Sequence, residues 1–526
     1  MRIKGRKRRG VARAWLWLFA LAAIVAAAGG GAYFLLRPRP EPAPEVGLRP
    51  EPTEATAEEV HRVCGACHTY PPADTFPRFA WRKEVKQGYD FLYKDPSYNF
   101  EYPPLEAVVR YYEKRAPESL ELLPVPIAAR PAPVRFDRVA HRPDRAAEAP
   151  GAAHVSLVRL FPNELPKILV CDAISKEVGL VDPHVSPPDW KVLARGLTCA
   201  HAEVVDLDGD GVNDIVLAVL GSFYATDERV GSVVWLRGAA DGSFTPVTLL
   251  DGLGRVADVR AARFMGSDKL DLVVAEFGWH KAGSILLLEN RTTDWQQPMF
   301  VPRVLDSRHG TTHVPVADLN GDGKPDFVAA ISQEHETVVA FLNEGGGRFR
   351  KETIYTASHP SFGTNGIQLV DLDGDGDLDV LLSNGDSLDS PYLLKPYHGV
   401  TWLENRGKYP FTPHRLADCY GAGSPVAADF RGKGLLDIVF VSFLPAEYFP
   451  QRTPMGLDSV VLLEQVKPGE FVRHSLEREK CDHLTCAAGD LFGTGRADLV
   501  VGNYIRGGSR GSSVSVWRNV TDKSTK

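Results

Sequence analysis

Positive charge is in short supply over most of this chain. Of its 526 residues, 60 are Lys or Arg and 67 are Asp or Glu, and seven of the basic residues stand within residues 1–13, which contain no acid. The remainder of the chain is therefore acidic. Because neutralising phosphates requires clustered Lys and Arg, nucleic acid is excluded as a partner of the body of the protein.

The sequence also lacks the fingerprints of common enzyme classes. It contains no nucleophile triad, P-loop or dinucleotide-binding glycine pattern, so hydrolase and nucleotide-dependent activities have no support. Its 44% hydrophobic and 24% charged residues are close to the globular average, which excludes wholesale disorder and a polytopic membrane protein. At roughly 150 residues per domain, the chain is too long for a single compact core.

The amino terminus has the charge pattern of a membrane anchor. Residues 14–36 contain no charged side chain and follow the basic segment 1–13. A helix of that length spans about 34 Å, enough for a hydrocarbon core of about 30 Å, and the basic flank predicts a cytoplasmic amino terminus with the body outside the membrane. The alternative is a cleaved signal peptide with small residues 26–28 at the cleavage site. Either exports the body, and six prolines within residues 37–54 predict a semi-rigid linker.

The first chemical motif is Cys64-Gly-Ala-Cys67-His68, the C-x-x-C-H arrangement of covalent haem attachment. On one helical turn, two thiols can reach the two vinyl groups while the next side chain points its imidazole at the iron. The motif predicts thioethers from Cys64 and Cys67, and His68 as the proximal iron ligand. A redox disulfide or half of a zinc site would use the same cysteines. One haem c is the predicted cofactor, since export supports attachment outside the cytoplasm.

The residues around the motif resemble a small cytochrome c, with two prolines soon after His68, a Trp at position 81 and helical spacing of apolar residues over 103–114. Such proteins usually bind the iron through a Met, but no methionine lies between residues 40 and 264. Three alternatives remain: a Met from another domain, a nitrogen or oxygen ligand, or an open iron. The candidate nitrogen and oxygen ligands are His61, Lys86, Tyr89, Tyr93 and Tyr98.

Beyond about residue 130 the chain repeats itself. Each unit has an apolar strand, a turn rich in Asp and Gly, and a second apolar strand whose first position recurs every 47 to 61 residues: Lys167, Asp214, Asp271, Asp326, Asp379, Asp437 and Asp498. With two further strands in each unit, seven units predict a seven-bladed β-propeller. We expect residues 134–140 to pair with the strand at 514–517 and close the ring, because closure removes exposed sheet edges.

Three turns carry the pattern of a calcium loop. Side-chain oxygens recur at positions one, three, five and nine, a backbone carbonyl is available at position seven, and Gly at position six permits the sharp turn. This oxygen set suits a hard cation that binds about six to eight oxygens, so about three calcium ions are predicted. The predicted ligands are Asp206, Asp208, Asp210, Val212, Asp214, Asp318, Asn320, Asp322, Lys324, Asp326, Asp371, Asp373, Asp375, Asp377 and Asp379, with Val212, Lys324 and Asp377 serving through their carbonyls.

In the order of its segments the chain resembles exported bacterial proteins that join a cytochrome c domain to FG-GAP/VCBS repeats, which form integrin-type calcium propellers. The motif at 64–68, the three Asp-rich turns and strands such as 230–236 and 331–337 carry the resemblance. It implies an architecture, haem c and calcium, but no particular reaction.

Imidazoles and carboxylates are expected to gather at the mouth of the propeller opposite the calcium turns. Three of these residues are candidates for a metal or polar-ligand site: His201, His313 and His335. The alternative is that these histidines pair with carboxylates of neighbouring blades. Among the cysteines, Cys171 with Cys199, and Cys481 with Cys486, are candidate disulfides in an oxidising compartment.

The sequence therefore predicts a multidomain chain: an N-terminal transmembrane helix, a small all-α cytochrome c domain and an all-β seven-bladed propeller. The segments are 1–13 cytoplasmic, 14–36 anchor, 37–54 linker, 55–118 haem domain, 119–133 linker, 134–520 propeller and 521–526 tail. The favoured function is single-electron transfer outside the cytoplasmic membrane. The predicted partners are the lipid bilayer, through the N-terminal helix, and an unidentified redox protein. The alternatives are a haem- or metal-dependent oxidoreductase and a cell-surface adhesion or glycan-binding propeller.

Overall fold

The computed structural model of the protein describes residues 53–66, 68–94, 100–125, 130–142, 149–186, 188–389, 391–506 and 511–521. The predicted cytoplasmic segment 1–13, the anchor 14–36 and nearly all of the linker 37–54 lie outside these ranges. Within them, no helix is both long enough and apolar enough to cross a membrane.

Three helices precede the propeller: α1 (Ala57–Cys64), α2 (Arg78–Lys94) and α3 (Leu105–Arg115). A reciprocal cap starts α1, since Thr56 Oγ1 accepts from the amide of Glu59 at 3.2 Å and Glu59 Oε2 accepts from the amide of Thr56 at 2.8 Å. The helices bury an aromatic core in which the rings of Trp81 and Tyr112 stack at 3.7 Å. The apolar residues at helical spacing over 103–114 thus lie in α3.

The predicted fold class is wrong as a whole. The described chain is nearly all β, with only three short α-helices, none of which could span a membrane, and these helices do not form a separate all-α cytochrome c domain. They belong to one compact unit that starts at Ala55 and includes the propeller. Leu393 of the propeller packs against the helical core, and the ring of Phe91 lies 4.4 Å from that of His280. A segment this short buries little surface of its own, so its helices pack on the larger body.

Twenty-nine strands within the described ranges form seven antiparallel sheets, which confirms the predicted seven-bladed propeller. Blade 1 contains β2 (Ala152–Val158), β3 (Lys167–Asp172), β4 (Glu177–Asp182) and β5 (Asp189–Arg195). Blade 2 contains β6 (Cys199–Val205), β7 (Asp214–Val219), β8 (Gly231–Gly238) and β9 (Phe244–Leu253). Blade 3 contains β10 (Val256–Ala262), β11 (Asp271–Glu276), β12 (Ser284–Asn290) and β13 (Phe300–Asp306).

The innermost strand of blade 4 is interrupted, so this blade contains β14 (Thr311–His313), β15 (Val316–Ala317), β16 (Asp326–Ile331), β17 (Thr337–Gly345) and β18 (Arg348–Thr356). Blade 5 contains β19 (Thr364–Val370), β20 (Asp379–Asn384), β21 (Gly399–Glu404) and β22 (Thr412–Asp418). Blade 6 contains β23 (Ala422–Ala428), β24 (Asp437–Ser442), β25 (Asp458–Lys467) and β26 (Glu470–Arg478). Blade 7 contains β27 (His483–Gly489), β28 (Asp498–Asn503), β29 (Val514–Asn519) and β1 (Phe136–His141).

The core lies between the blades. The second strands of blades 2 to 7 are buried along their whole length, because they are covered by sheets on both faces and therefore read as continuous apolar runs. Outer strands such as β18 have mostly half-buried or exposed residues. Each gap between blades is filled by side chains from both neighbours, for example Leu169 of blade 1 with Leu217 of blade 2.

The ring is closed by a strand from its amino-terminal end. β1 pairs antiparallel with β29, with Phe136 opposite Asn519 and His141 opposite Val514. The predicted pairing of residues 134–140 with the last strand is therefore confirmed. Blade 7 takes three strands from the end of the chain and one from the start, so the two ends of the propeller are held together.

One of the two predicted cysteine pairs is close together. The Sγ atoms of Cys171 and Cys199 lie 2.9 Å apart and are buried between blades 1 and 2. The thiol of Cys486 instead donates to the carbonyl of Ser424 at 3.1 Å, and that of Cys481 lies 3.6 Å from the hydroxyl of Ser459. The geometry thus favours only the first pair as a disulfide.

Candidate metal and haem sites

The Asp-rich turn of blade 2 is organised around its first aspartate. Asp206 Oδ1 accepts from the amides of Gly209 at 2.9 Å and Asp210 at 3.1 Å, and Oδ2 accepts from Gly211 at 3.0 Å. Gly209 and Gly211 have φ of 75° and 87°, a backbone that favours glycine. Carboxylate oxygens of Asp206, Asp208 and Asp210 all lie within 4.8 Å of one another. The turn therefore gathers the predicted ligands of positions one, three and five.

The other two turns repeat this arrangement. In blade 5, carboxylate oxygens of Asp371, Asp373 and Asp375 also lie within 4.8 Å of one another. In blade 4, Asp318 accepts from the amides of Asp322 at 3.1 Å and Gly323 at 2.8 Å. Here the ammonium of Lys324 lies 2.7 Å from Asp322 Oδ2, and this hydrogen bond lowers the pKa of Asp322. A calcium ion would have to compete with that lysine in blade 4.

The aspartate at position nine faces the interior of its blade. Asp214 is 1% exposed, and its two oxygens accept from the amides of Leu207 at 3.0 Å and Gly238 at 2.7 Å. The corresponding carboxylates of Asp326 and Asp379 are bonded in the same way. Burial raises the pKa of Asp379 to about 6. These carboxylates link the turn to the end of the third strand, so only their remaining lone pairs could reach an ion.

The same link occurs where the turn has lost its calcium pattern. Asp271 accepts from the amides of Met265 at 2.9 Å and Asn290 at 3.0 Å, and Asp498 accepts from Leu491 at 3.0 Å and Asn519 at 2.7 Å. The spacing of the repeat predicts a metal ligand at this position but contains no information about which way the side chain turns. We name this repeated interaction the aspartate link.

Calcium is expected to stabilise the ring through its exposed turns. At a free concentration 100 times the dissociation constant, each occupied site adds about 2.7 kcal/mol to the free energy of unfolding. Thermal unfolding in excess Ca²⁺ should therefore occur at a clearly higher temperature than in EDTA. The variant Asp373→Asn should lose part of this difference, whereas Asp251→Asn, which removes an exposed acid from β9, should keep it. Identical melting of the unaltered protein in the two buffers would contradict the prediction.

The three histidines predicted to share the propeller mouth are divided between two clusters. Each innermost strand has a register shift near its start, after which His201, Asp258 and His313 stand at equivalent positions. His201 Nδ1 lies 3.0 Å from Asp258 Oδ1, and His313 Nδ1 lies 3.9 Å from Oδ2. His335 instead belongs to a group with His309 and Glu334.

We call His201, Asp258 and His313 the axial cluster, and the guanidinium of Arg260 balances its negative charge. Asp258 is fully buried, and Arg260 Nε lies 3.0 Å from its Oδ1. Burial would raise the pKa of Asp258, but Arg260 and His201 together hold it well below its usual range. Burial lowers the pKa of His201 and of His313. The histidines are therefore neutral beside a carboxylate whose counter-charge is Arg260, which disfavours a metal ion at the same place.

The haem motif follows the end of α1. The helix ends at Cys64, and the amide of Gly65 donates to the carbonyl of His61 at 2.9 Å. His68 Nδ1 lies 2.8 Å from the carbonyl oxygen of Thr69, which leaves Nε2 without a hydrogen bond to any residue in the described ranges. Metal-bound histidines commonly donate their other N–H to a carbonyl, so this donor set fits haem iron. Cys67 lies outside the described residues.

Cys64 packs against a core that is rich in aromatic side chains. Burial raises the pKa of Tyr112, and the neighbouring Cys64 thiol raises it further. The hydroxyl of Tyr112 donates to the carbonyl of Pro71 at 3.1 Å. The rings of Tyr70 and Tyr112 are stacked with centroids 6.3 Å apart. A flat apolar macrocycle would find aromatic surface on this side of the motif.

The candidates for the sixth iron ligand have other contacts or are exposed. Tyr89 is buried and donates its hydroxyl to the carbonyl of Pro103 at 2.5 Å. The ring of His61 stacks on that of Tyr70 at 3.8 Å. Lys86 and Tyr93 are exposed, and the predicted candidate at position 98 lies outside the described residues.

Comparison with known families identifies part of the ring. Residues 282–382 match the family of FG-GAP-like repeats. This FG-GAP-like segment begins just before β12 of blade 3, ends within β20 of blade 5, and contains the Asp-rich turns of blades 4 and 5. The family match and the seven blades support the propeller part of the predicted resemblance, and neither bears on a cytochrome c fusion. No curated protein sequence matches this chain.

The solved structures that match this chain have little sequence identity to it. A crystal structure of BBS1N in complex with ARL6DN, soaked with lead, is 11% identical with a TM-score of 0.44, and the match covers 75% of this chain and 99% of that chain. Selenomethionine-substituted virginiamycin B lyase from Staphylococcus aureus is 9% identical with a TM-score of 0.44, covering 73% of this chain and 98% of that chain.

Proposed function

We propose that this protein is an exported electron carrier that holds one haem c at Cys64, Cys67 and His68 and uses its propeller as a calcium-stabilised docking platform for a redox partner. The observations that carry the proposal are a thiol at the end of α1 and, four residues later, a His68 imidazole whose Nδ1 contacts a backbone carbonyl.

Each residue of the motif has a distinct task in this proposal. Cys64 and Cys67 would hold the porphyrin through thioethers, and His68 Nε2 would bind the iron, while the carbonyl of Thr69 fixes the tautomer through Nδ1–H. When bound, haem c supplies an iron that gains and loses one electron. The buried tyrosines and Trp81 would exclude water from one side of the site, and a drier site changes the reduction potential.

The propeller is suited to the role of a platform because the helices rest on it. The contact of Phe91 with His280 and the packing of Leu393 against the helical core join the haem segment to the ring. A partner that docks on neighbouring blades would therefore be held near the haem edge. The acidic balance of the chain beyond its amino terminus favours a partner with a basic surface, since complementary charges speed association.

The test is haem content in the full chain, produced where the haem-attachment machinery is active. We expect about one haem per chain that remains on the polypeptide after denaturation, as for covalent attachment. The double variant Cys64→Ser/Cys67→Ser should lose it, and His68→Ala should alter the absorption spectrum. The control Cys419→Ser removes a buried thiol of blade 5 and should keep the haem. The absence of haem absorption from the unaltered protein would contradict the proposal.

A second candidate function, a haem-dependent oxidoreductase, is favoured by one observation. The buried Tyr89 hydroxyl already has a partner, and His61 is stacked on Tyr70, so neither is positioned as a ready sixth ligand. An iron with an open position could bind a small molecule, whereas a six-coordinate carrier resists this. Rapid binding of carbon monoxide to the reduced protein would favour the enzyme, and the absence of binding would favour the carrier.

A further inference from the structure

Two loops meet at the end of the ring opposite the Asp-rich turns. One joins β13 to β14 and carries His309, and the other joins β16 to β17 and carries Glu334 and His335. The amide of Ser332 in the second loop donates to the carbonyl of Gly310 in the first at 2.8 Å. This backbone bond, near the ends of two rigid strands, keeps the two loops together.

The three side chains converge. His309 Nε2 lies 2.9 Å from Glu334 Oε1, and the rings of His309 and His335 have centroids 5.2 Å apart. One possible ligand atom from each residue lies within 4.8 Å of the other two. Metal–nitrogen and metal–oxygen bonds are about 2.0 to 2.2 Å long, so one ion can reach all three after small side-chain rotations.

The donor groups suit a cation. The cluster is partly buried and contains one carboxylate, from Glu334, and two imidazoles. The neighbouring Arg308 is bonded at 3.0 and 2.9 Å to Asp306, which also lies 2.9 Å from the ammonium of Lys351. The guanidinium is therefore held by Asp306 rather than by the three donor groups.

We propose that His309, Glu334 and His335 bind a divalent first-row transition ion of the Zn²⁺ class. Two imidazoles with one carboxylate favour such ions over calcium, which prefers oxygen alone. Three protein ligands also leave at least one position for water or a small molecule. This centre is separate from the Asp-rich turns and from the axial cluster around Asp258, and it does not depend on the haem.

The site lies beside the helices that precede the propeller. The ring of His280 lies 6.2 Å from that of His309, 4.4 Å from that of Phe91 in α2 and 4.1 Å from that of Trp279. The metal site would therefore stand near the contact between the helical segment and the propeller.

The test is Zn²⁺ binding by the full chain, measured by titration calorimetry after EDTA treatment and in excess Ca²⁺ to occupy the turns. We expect the double variant His309→Gln/His335→Gln to lose one bound equivalent or to bind it at least tenfold more weakly. His414→Gln is the matched control, because His414 also pairs with a carboxylate, Glu404, at 2.7 Å but belongs to no such cluster. The comparison between variants cancels any zinc held by the cysteine motif.

A second measurement covers the case in which the double variant does not fold. Cu²⁺ added as one equivalent to the unaltered protein should give an electron paramagnetic resonance spectrum with splitting from two imidazole nitrogens, and Glu334→Gln should change it. Equal zinc binding by the double variant and the control would overturn the proposal, and so would a copper spectrum without nitrogen splitting.

Discussion

Deletion of residues 134–140 should abolish the cooperative unfolding of the propeller. These residues include most of β1, which supplies the outer strand of blade 7. The ring of Phe136 packs against Phe430 and Trp517, each at 6.0 Å, and the guanidinium of Arg138 lies 4.0 Å from the ring of Trp517. The loss of the hydrogen bonds between β1 and β29 and of this packing should lower the free energy of unfolding by more than about 5 kcal/mol. That is comparable to the whole stability of a typical domain.

Circular dichroism during heating is the measurement, with limited proteolysis as a second probe. A shorter chain also changes the connection to the helices, so a variant of unchanged length is needed. Val139→Pro/Ala140→Pro breaks the ladder because proline has no N–H to donate. Val139→Thr/Ala140→Ser keeps the ladder and should melt as the unaltered protein does. A sharp transition at an unchanged temperature in the proline variant would refute ring closure by β1.

Asp326→Ala should be the most damaging single substitution within an Asp-rich turn. Its carboxylate is fully buried and accepts from the amides of Leu319 at 3.0 Å and Asn343 at 2.6 Å. The side chain of Asn343 donates in turn to the carbonyl of Phe264 in the neighbouring blade at 3.1 Å. Leaving one buried and one half-buried amide without partners should lower the free energy of unfolding by about 4 kcal/mol, which denaturant unfolding can measure.

The matched control for this substitution lies in the same turn. Asp322→Ala removes an exposed carboxylate four residues earlier and, in EDTA, should cost less than about 1 kcal/mol. In Ca²⁺ the difference in stability between the two variants should be smaller, because Asp322→Ala then also removes a metal ligand. If Asp322→Ala is as destabilising as Asp326→Ala without calcium, the aspartate link is not the main role of position nine.

The propeller could be predicted from the sequence because its signal is local and repeated. The first residue of the second strand, such as Asp271 or Asp498, recurs in each unit. Seven copies of this pattern predict a seven-bladed propeller. The closure of the ring by residues 134–140 followed from counting strands, since the last unit ends at its third strand.

What could not be predicted depends on directions that spacing does not contain. The recurrence of a side-chain oxygen at position nine predicts a metal ligand there, but the carboxylate of Asp214 turns into the blade. The spacing of apolar residues over 103–114 predicts the helix α3, but where the apolar faces of the helices pack depends on contacts with residues such as Leu393. His309 was missed because it lies in a loop outside the repeated pattern, and only folding brings it to Glu334.

The pairing of the first and last strands also determines how the ring responds to tension. Phe136, where the chain enters β1, lies opposite Asn519, where β29 ends. A pulling force between the helical segment and the carboxyl terminus would therefore act at this end of the ladder. It would break the hydrogen bonds between β1 and β29 one after another, starting beside Phe136 and Asn519. The propeller would be mechanically weak along this one direction, although every other blade boundary lies within a continuous chain.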